Sequence, residues 1–334
     1  MTHPAPRMIR LGNREASFPS PSISQIESSN SLLDIDDGGS SLRARFARDG
    51  FVYLRGVLNS TTVNSARLCV LDKLIAQGNV LSDNETGLLL PECGLGCIPN
   101  LEGVNGTTHA PSVAAVLEGD PLRHVVSLLL NEESTNVRTF DYKWLRAMPR
   151  DAFTGVHVDS VYMNRGSSDL ITAWIPFNEN ATMELGALAL LKGSHNAASL
   201  TKFRATYGSF DTEEEIGFQG SGWLTSDPFD PLLINGNDCH WVSGDFESGD
   251  VILFGLNTVH CSSANLTNQV RISADVRWQR MNETIDERYI GTLEEMKEKS
   301  QQQKKGGAWV SDKGQGNVNT PPTTMDDLRQ RWGI

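Results

Sequence analysis

No stretch of this 334-residue chain is apolar for long enough to span a bilayer, and its first residues, MTHPAPRMIRLGN, contain no apolar core of the kind a secretory leader needs. A membrane is therefore not expected as a partner, and the expected location is cytoplasmic. Cysteine is scarce. The five residues Cys69, Cys93, Cys97, Cys239 and Cys261 are an odd number, which fits reduced thiols better than a disulfide framework. Cys93 and Cys97 have C-x3-C spacing, but no second pair follows to complete a four-ligand structural zinc site. Positive charge is also short: 29 Lys and Arg stand against 41 Asp and Glu, a net charge of −12, with no basic stripe to track phosphates. Nucleic acid is excluded as a partner on that ground. No internal repeat breaks the chain into equivalent units.

What is present is a hydrophobic content of 39%, enough for a substantial core. Residues 1–40 include a Ser-, Pro- and Asp-rich stretch without sustained period, and are expected to form a flexible N-terminal arm. SLRARFARDG reads as a helix ending at Gly50, and FVYLRGVL as a strand. A second helix is expected over TTVNSARLCVLDKLIAQG, with Ser60 or Thr61 as N-cap. PSVAAVLEGDPLRHVVSLLLNE should give two short helices broken at Gly119 and Pro121. From about residue 137 the rhythm changes to short strands separated by Gly, Asn and Asp turns: VRTFDYKWLRAM, DLITAWIPF, GALALLKGS, DVILFG and QVRISADVRWQR. That is the pattern of an antiparallel sandwich or jelly roll. The fold class is thus mainly β with flanking helices. Residues 41–280 form the main domain, and residues 281–334 a C-terminal extension lying on or near the barrel.

In the last of these strands Arg271, Ser273, Asp275, Arg277 and Gln279 alternate with Ile272, Ala274, Val276 and Trp278. A polar row of this length either faces solvent or lines a polar cavity. Earlier, TGVHVDS places His157 and Asp159 two positions apart, on one face if the segment is extended. By itself such a pair is as readily a hydrogen-bonded turn as half of a metal site. His260 follows the DVILFG strand, and Arg271 comes eleven residues later. Two histidines and a carboxylate on one face of an ion are the ligand set of non-haem iron(II) oxygenases, which leave the other positions open for an oxo-acid and dioxygen.

In order along the chain, H-x-D, W-I-P, G-A-L-x-L-L-x-G-S-H, G-D-V-I-L-F with a distal His, and R-x-S together resemble the phytanoyl-CoA dioxygenase (PhyH-like) family of Fe(II)/2-oxoglutarate-dependent oxygenases, over residues 41–280. The resemblance implies a double-stranded β-helix of the cupin-like kind. It also implies His157, Asp159 and His260 as ligands of Fe(II), and Arg271 with Ser273 as the grip on the distal carboxylate of the co-substrate 2-oxoglutarate. Guanidinium suits that grip because it meets a carboxylate through two parallel charge-assisted bonds. Thr172 and Trp174, on the next strand, are expected beside the co-substrate. Tyr142, Trp144 and Arg146, which alternate with one another, are expected on the substrate wall together with Arg277, core packing being the competing role for the aromatics. His195 reads as a loop-fixing residue, and Cys261 as a small buried filler.

The reaction expected is oxidation of a small metabolite, amino-acid-derived or a natural-product intermediate, by hydroxylation, desaturation or ring closure. Dioxygen is the other partner, and a homodimer is compatible with the sequence. An acyl-CoA substrate would need cations around its phosphates, which this acidic chain is poorly equipped to supply. The alternatives are a non-redox divalent-metal enzyme of cupin type, for which Arg271 has no evident task, and an acyl-CoA hydroxylase of the same family.

Overall fold

The computed structural model describes residues 5–33, 35–78, 80, 88, 106–215, 217–236, 239–292, 294–295 and 322–334. Cys93 and Cys97 lie outside the described residues. Two sheets face one another. The larger runs in the order Phe51–Leu54, Val251–Gly255, Ile171–Pro176, Arg271–Arg280, Val137–Thr139, and Trp144–Met148 also pairs with Arg271–Arg280. The smaller has the order His260–Ser262, Leu188–Lys192, His240–Ser243, Ile23–Gln25. This is the jelly roll expected from the strand rhythm, with the sheets packed face to face rather than closed into one barrel.

Two apolar layers result from the period-2 alternation of the strands. The inner one, between the sheets, includes Trp174, Leu190, Trp241, Phe246, Ile252 and Phe254. The outer one joins the other face of the large sheet, with Ala173, Leu253, Ile272, Ala274 and Trp278, to the helices Ser60–Ala76, Pro111–Leu117 and Asp120–Leu130. The first of these helices starts where expected, but its N-cap is Asn59, whose side chain accepts from the amides of Thr61 and Thr62. The stretch VRTFDYKWLRAM is two strands, not one. Val137–Thr139 and Trp144–Met148 are separated by a turn in which the buried Lys143 ammonium bonds the Phe140 carbonyl and pairs with Glu118.

The N-terminal arm is a correction to the sequence reading. Arg7–Leu11 and Arg14–Phe18 form a hairpin, and Ile23–Gln25 joins the small sheet in parallel with His240–Ser243. Ile9, Leu11, Phe18, Ile23 and Ile26 are all buried in the inner layer. Composition suggested a solvated segment because the apolar residues stand singly among polar ones. That spacing is what short strands with one buried face require. The hairpin also braces the far end of the His260 strand: the Gly12 amide donates to the Ser262 carbonyl and the Ala264 amide to the Arg10 carbonyl. At the other terminus Tyr289 and Leu328 are buried, and Leu328, Met325 and Trp332 of the helix Met325–Trp332 pack on the inner layer.

Candidate active site

His157 and His260 form a reciprocal antiparallel bridge. The His157 amide donates to the His260 carbonyl at 3.0 Å, and the His260 amide to the His157 carbonyl at 2.9 Å. Such a pairing puts both side chains on one side, and the two ring centroids are 4.1 Å apart. Each Nδ1 donates to the carbonyl two residues earlier, His157 to Gly155 at 2.8 Å and His260 to Thr258 at 2.9 Å. A carbonyl only accepts, so both rings are held in the tautomer whose Nε2 lone pair is available.

The expected strand ends early. After His157 the chain turns, and Asp159 adopts helical dihedrals as the N-cap of the one-turn helix Ser160–Met163. The turn brings Asp159 Oδ1 to 3.8 Å from His157 Nε2 and 3.7 Å from His260 Nε2. The three donor groups are the one such cluster among the described residues, and all three are buried. Donors held about 2.1 Å from one ion can stand at most about 4.2 Å apart, so both carboxylate–imidazole separations suit a shared divalent cation.

The charges agree with that use. Burial and the neighbouring His260 push the His157 imidazole down to about 3 against the opposing pull of Asp159, and burial likewise lowers His260. For Asp159, burial works against ionisation, but the Arg277 guanidinium, the two imidazoles and the Thr172 hydroxyl outweigh it and hold the carboxyl well below its usual range. At neutral pH the cluster is two neutral imidazoles and one carboxylate, the state a cation needs.

The polar row of Arg271–Arg280 faces inward and is buried throughout. At one end Arg271 Nη1 donates to Ser273 Oγ at 2.7 Å, beside Gly186. Asp275 accepts from Arg146 Nε at 2.8 Å. Arg277, grouped by sequence with the substrate wall, reaches Asp159 instead, its Nη2 lying 3.0 Å from Oδ2. Thr172 Oγ1 donates to the same oxygen at 2.6 Å. Trp174 is on the same face of its strand but packs edge-to-face on Phe246 in the inner layer.

Tyr142 and Trp144 meet at 4.6 Å, and Tyr289 from the C-terminal extension stands 5.0 Å from Trp144. Tyr289 and Tyr162 were not anticipated. The Tyr162 ring lies 5.8 Å from His157, and its carbonyl accepts from both Arg288 Nη2 and Tyr289 Oη. The bonds from Arg288 and Tyr289 join segments more than a hundred residues apart and leave no local trace. His195 donates to the Ala47 carbonyl and ties its loop to the helix Ser40–Asp49, and Cys261 is wholly buried. No helix among the described residues is long and apolar enough to cross a membrane.

No curated protein matches the sequence. Among solved structures, the fold is similar to the non-haem alpha-ketoglutarate-dependent carbocyclase SnoK from nogalamycin biosynthesis (TM-score 0.52, 16% identity, 78% of this chain and 89% of that one). It is similar also to the epimerase SnoN in complex with Fe3+, alpha-ketoglutarate and nogalamycin RO (TM-score 0.51, 18% identity, 74% and 85%). EctD from S. alaskensis with 2-oxoglutarate and 5-hydroxyectoine is a third (TM-score 0.50, 16% identity, 85% and 86%). Identities this low carry the fold and no more. The family model for phytanoyl-CoA dioxygenase (PhyH) matches residues 106–273, half of the chain and the part that holds His157, Asp159, His260 and Arg271. The chain is therefore a member of the phytanoyl-CoA dioxygenase family, an oxygenase dependent on iron(II) and 2-oxoglutarate.

Proposed function

We propose that this enzyme oxidises a small metabolite, amino-acid-derived or a natural-product intermediate, by hydroxylation, desaturation or ring closure, with iron(II) held by His157, Asp159 and His260. The observation that carries the reading is the pair of fixed imidazole tautomers converging on one oxygen of Asp159. When bound, iron(II) would bring dioxygen, the oxidant, to 2-oxoglutarate; one oxygen atom would go into succinate as carbon dioxide is lost, and the other would supply the oxidising power for hydrogen abstraction from the substrate.

The chain's own residues do the positioning. Arg271, supported by Ser273, takes the distal carboxylate of 2-oxoglutarate, with Thr172 and Trp174 on the adjoining strand. Tyr142, Trp144 and Arg146 border the substrate. Phe254, 4.6 Å from the His260 ring, and Tyr162 pack against the imidazoles and exclude water from them. The buried guanidiniums of Arg271 and Arg277 lie inside the sandwich, out of reach of the phosphates of a coenzyme A thioester, which favours a free metabolite over an acyl-CoA.

Anaerobic addition of iron(II) and then 2-oxoglutarate to the purified protein tests the class. A weak visible charge-transfer band is expected, and it should be absent in His157→Ala and His260→Ala. Tight binding of zinc with no response to 2-oxoglutarate would overturn the oxygenase reading in favour of a non-redox metal enzyme.

A further inference from the structure

The two oxygens of Asp159 have different surroundings. Oδ1 faces the imidazoles, while Oδ2 receives Thr172 Oγ1 and Arg277 Nη2 at 2.6 and 3.0 Å. Thr172 and Arg277 are cross-strand partners on neighbouring strands of the large sheet, so one register position supplies both donors. The Arg277 guanidinium lies over a ring from a third element: its Cζ is 4.5 Å from the ring centroid of Trp144, whose own strand also pairs with Arg271–Arg280.

As a stabilising ion pair this is poorly made. Arg277 is only 3% exposed, and its Nε and Nη1 are buried without an acceptor among the described residues. A guanidinium carries five N–H donors, and a buried pair favours folding only when such donors are satisfied. The arrangement satisfies Asp159 at the expense of Arg277, which points to a task at the carboxylate and not in the core.

We propose that Arg277 is a positioning residue for the metal: with Thr172 it occupies Oδ2 of Asp159 and leaves Oδ1 as the single oxygen offered to the ion, and Trp144 holds the guanidinium in that place. The proposal rests on the metal reading given above. It has a corollary. A cation and a hydroxyl lie directly beneath the carboxylate, so deleting the carboxylate leaves a cradle for a small carboxylate from solution.

Anaerobic iron(II) titration of the full chain separates the two readings. Binding by the wild type and its loss in His157→Ala test the metal site alone, and failure there removes both readings. Given a working site, Arg277→Gln should weaken iron(II) by about 10- to 100-fold, the usual effect of losing a partner of a metal ligand. Arg277→Lys should lose less, and both losses are read per folded molecule, because either variant also disturbs a buried ion pair and lowers the unfolding temperature of the metal-free protein. A merely structural Arg277 would give the lowered unfolding temperature alone, with wild-type iron affinity in the protein that remains folded, and that result overturns the proposal. The second arm leaves Arg277 intact. Formate should restore iron(II) binding to Asp159→Gly and should fail to do so in Asp159→Gly/Arg277→Gln. Absence of rescue in the single variant, or rescue indifferent to Arg277, also overturns it, even if Arg277→Gln yields no folded protein.

Discussion

Replacing Phe18 by alanine tests whether the N-terminal segment belongs to the fold. Phe18 has no exposed surface and sits in the inner layer with Leu11 and Ile23, on a hairpin whose other strand hydrogen-bonds beyond His260. Truncating a buried phenylalanine costs about 3–5 kcal/mol, and Leu11→Ala about 2–5 kcal/mol, transfer and cavity terms together. Against a net stability of about 5–15 kcal/mol for a folded protein, either loss is large. With a urea dependence of about 3 kcal/mol per molar, the Phe18→Ala midpoint should fall by about 1 M or more. Met8, on the other strand of the same hairpin but 62% exposed, is the control, and Met8→Ala should stay within about 0.5 kcal/mol of wild type. Equilibrium urea unfolding of the metal-free protein, followed by tryptophan fluorescence, reads all three. If Phe18→Ala unfolds at the wild-type midpoint, the segment is a loose arm and the burial argument fails.

Arg271→Ala should weaken 2-oxoglutarate by roughly 10- to 100-fold through loss of charge-assisted bonds worth about 1.5–3 kcal/mol, with iron affinity nearly unchanged and Arg271→Lys between. Oxygen consumption with 2-oxoglutarate and with pyruvate checks it, since pyruvate lacks the distal carboxylate and should gain in relative terms. At Gly155 a Cβ would lie 2.5 Å from Trp223 Cε3, so Gly155→Ala should displace the carbonyl that fixes the His157 tautomer and weaken iron(II) about tenfold by titration. Unaltered affinity would show that Trp223 moves aside. Asp49 is buried, and although burial opposes its charge, the bonds from Arg48 with Lys192 and Arg45 nearby hold its carboxyl below the usual range. A depressed folded value gives stability that is present above the unfolded value of 3.8 and lost as pH falls below it. Asp49→Asn should therefore cost about 1–3 kcal/mol at pH 7, and unfolding curves of variant and wild type should converge as pH drops below 4. A deficit independent of pH would show that packing, not charge, sets the loss.

The strands of the jelly roll were legible because alternation and turn residues are local, and the metal cluster because His157, Asp159 and His260 occur in a recognisable order. The polar row in QVRISADVRWQR was visible, but not its fate. Whether it met water or a cavity depended on helices and a second sheet covering both faces, which no local window reports. The hairpin at Arg7–Phe18 was missed for the same reason: its burial is conferred by the strands it lands on. Arg277 was placed on the correct strand and face, yet its partner Asp159 is 118 positions away in the chain, so charge and position together could not distinguish a substrate contact from a brace for a ligand.

One strand carries both ends of the chemistry. Arg271 and Arg277 stand six residues apart on Arg271–Arg280, about 20 Å at the rise of an extended chain, with every second side chain aimed into the sandwich. With the roles proposed for the two arginines, the strand acts as a gauge block whose length sets where co-substrate and metal lie relative to each other. Conservative changes of residue leave that gauge intact. A single insertion or deletion between the two arginines would turn one of them into the helix-packed layer and bring Ile, Ala or Val to face the metal. The segment is consequently less tolerant of a change in length than of a conservative change at the positions between the two arginines.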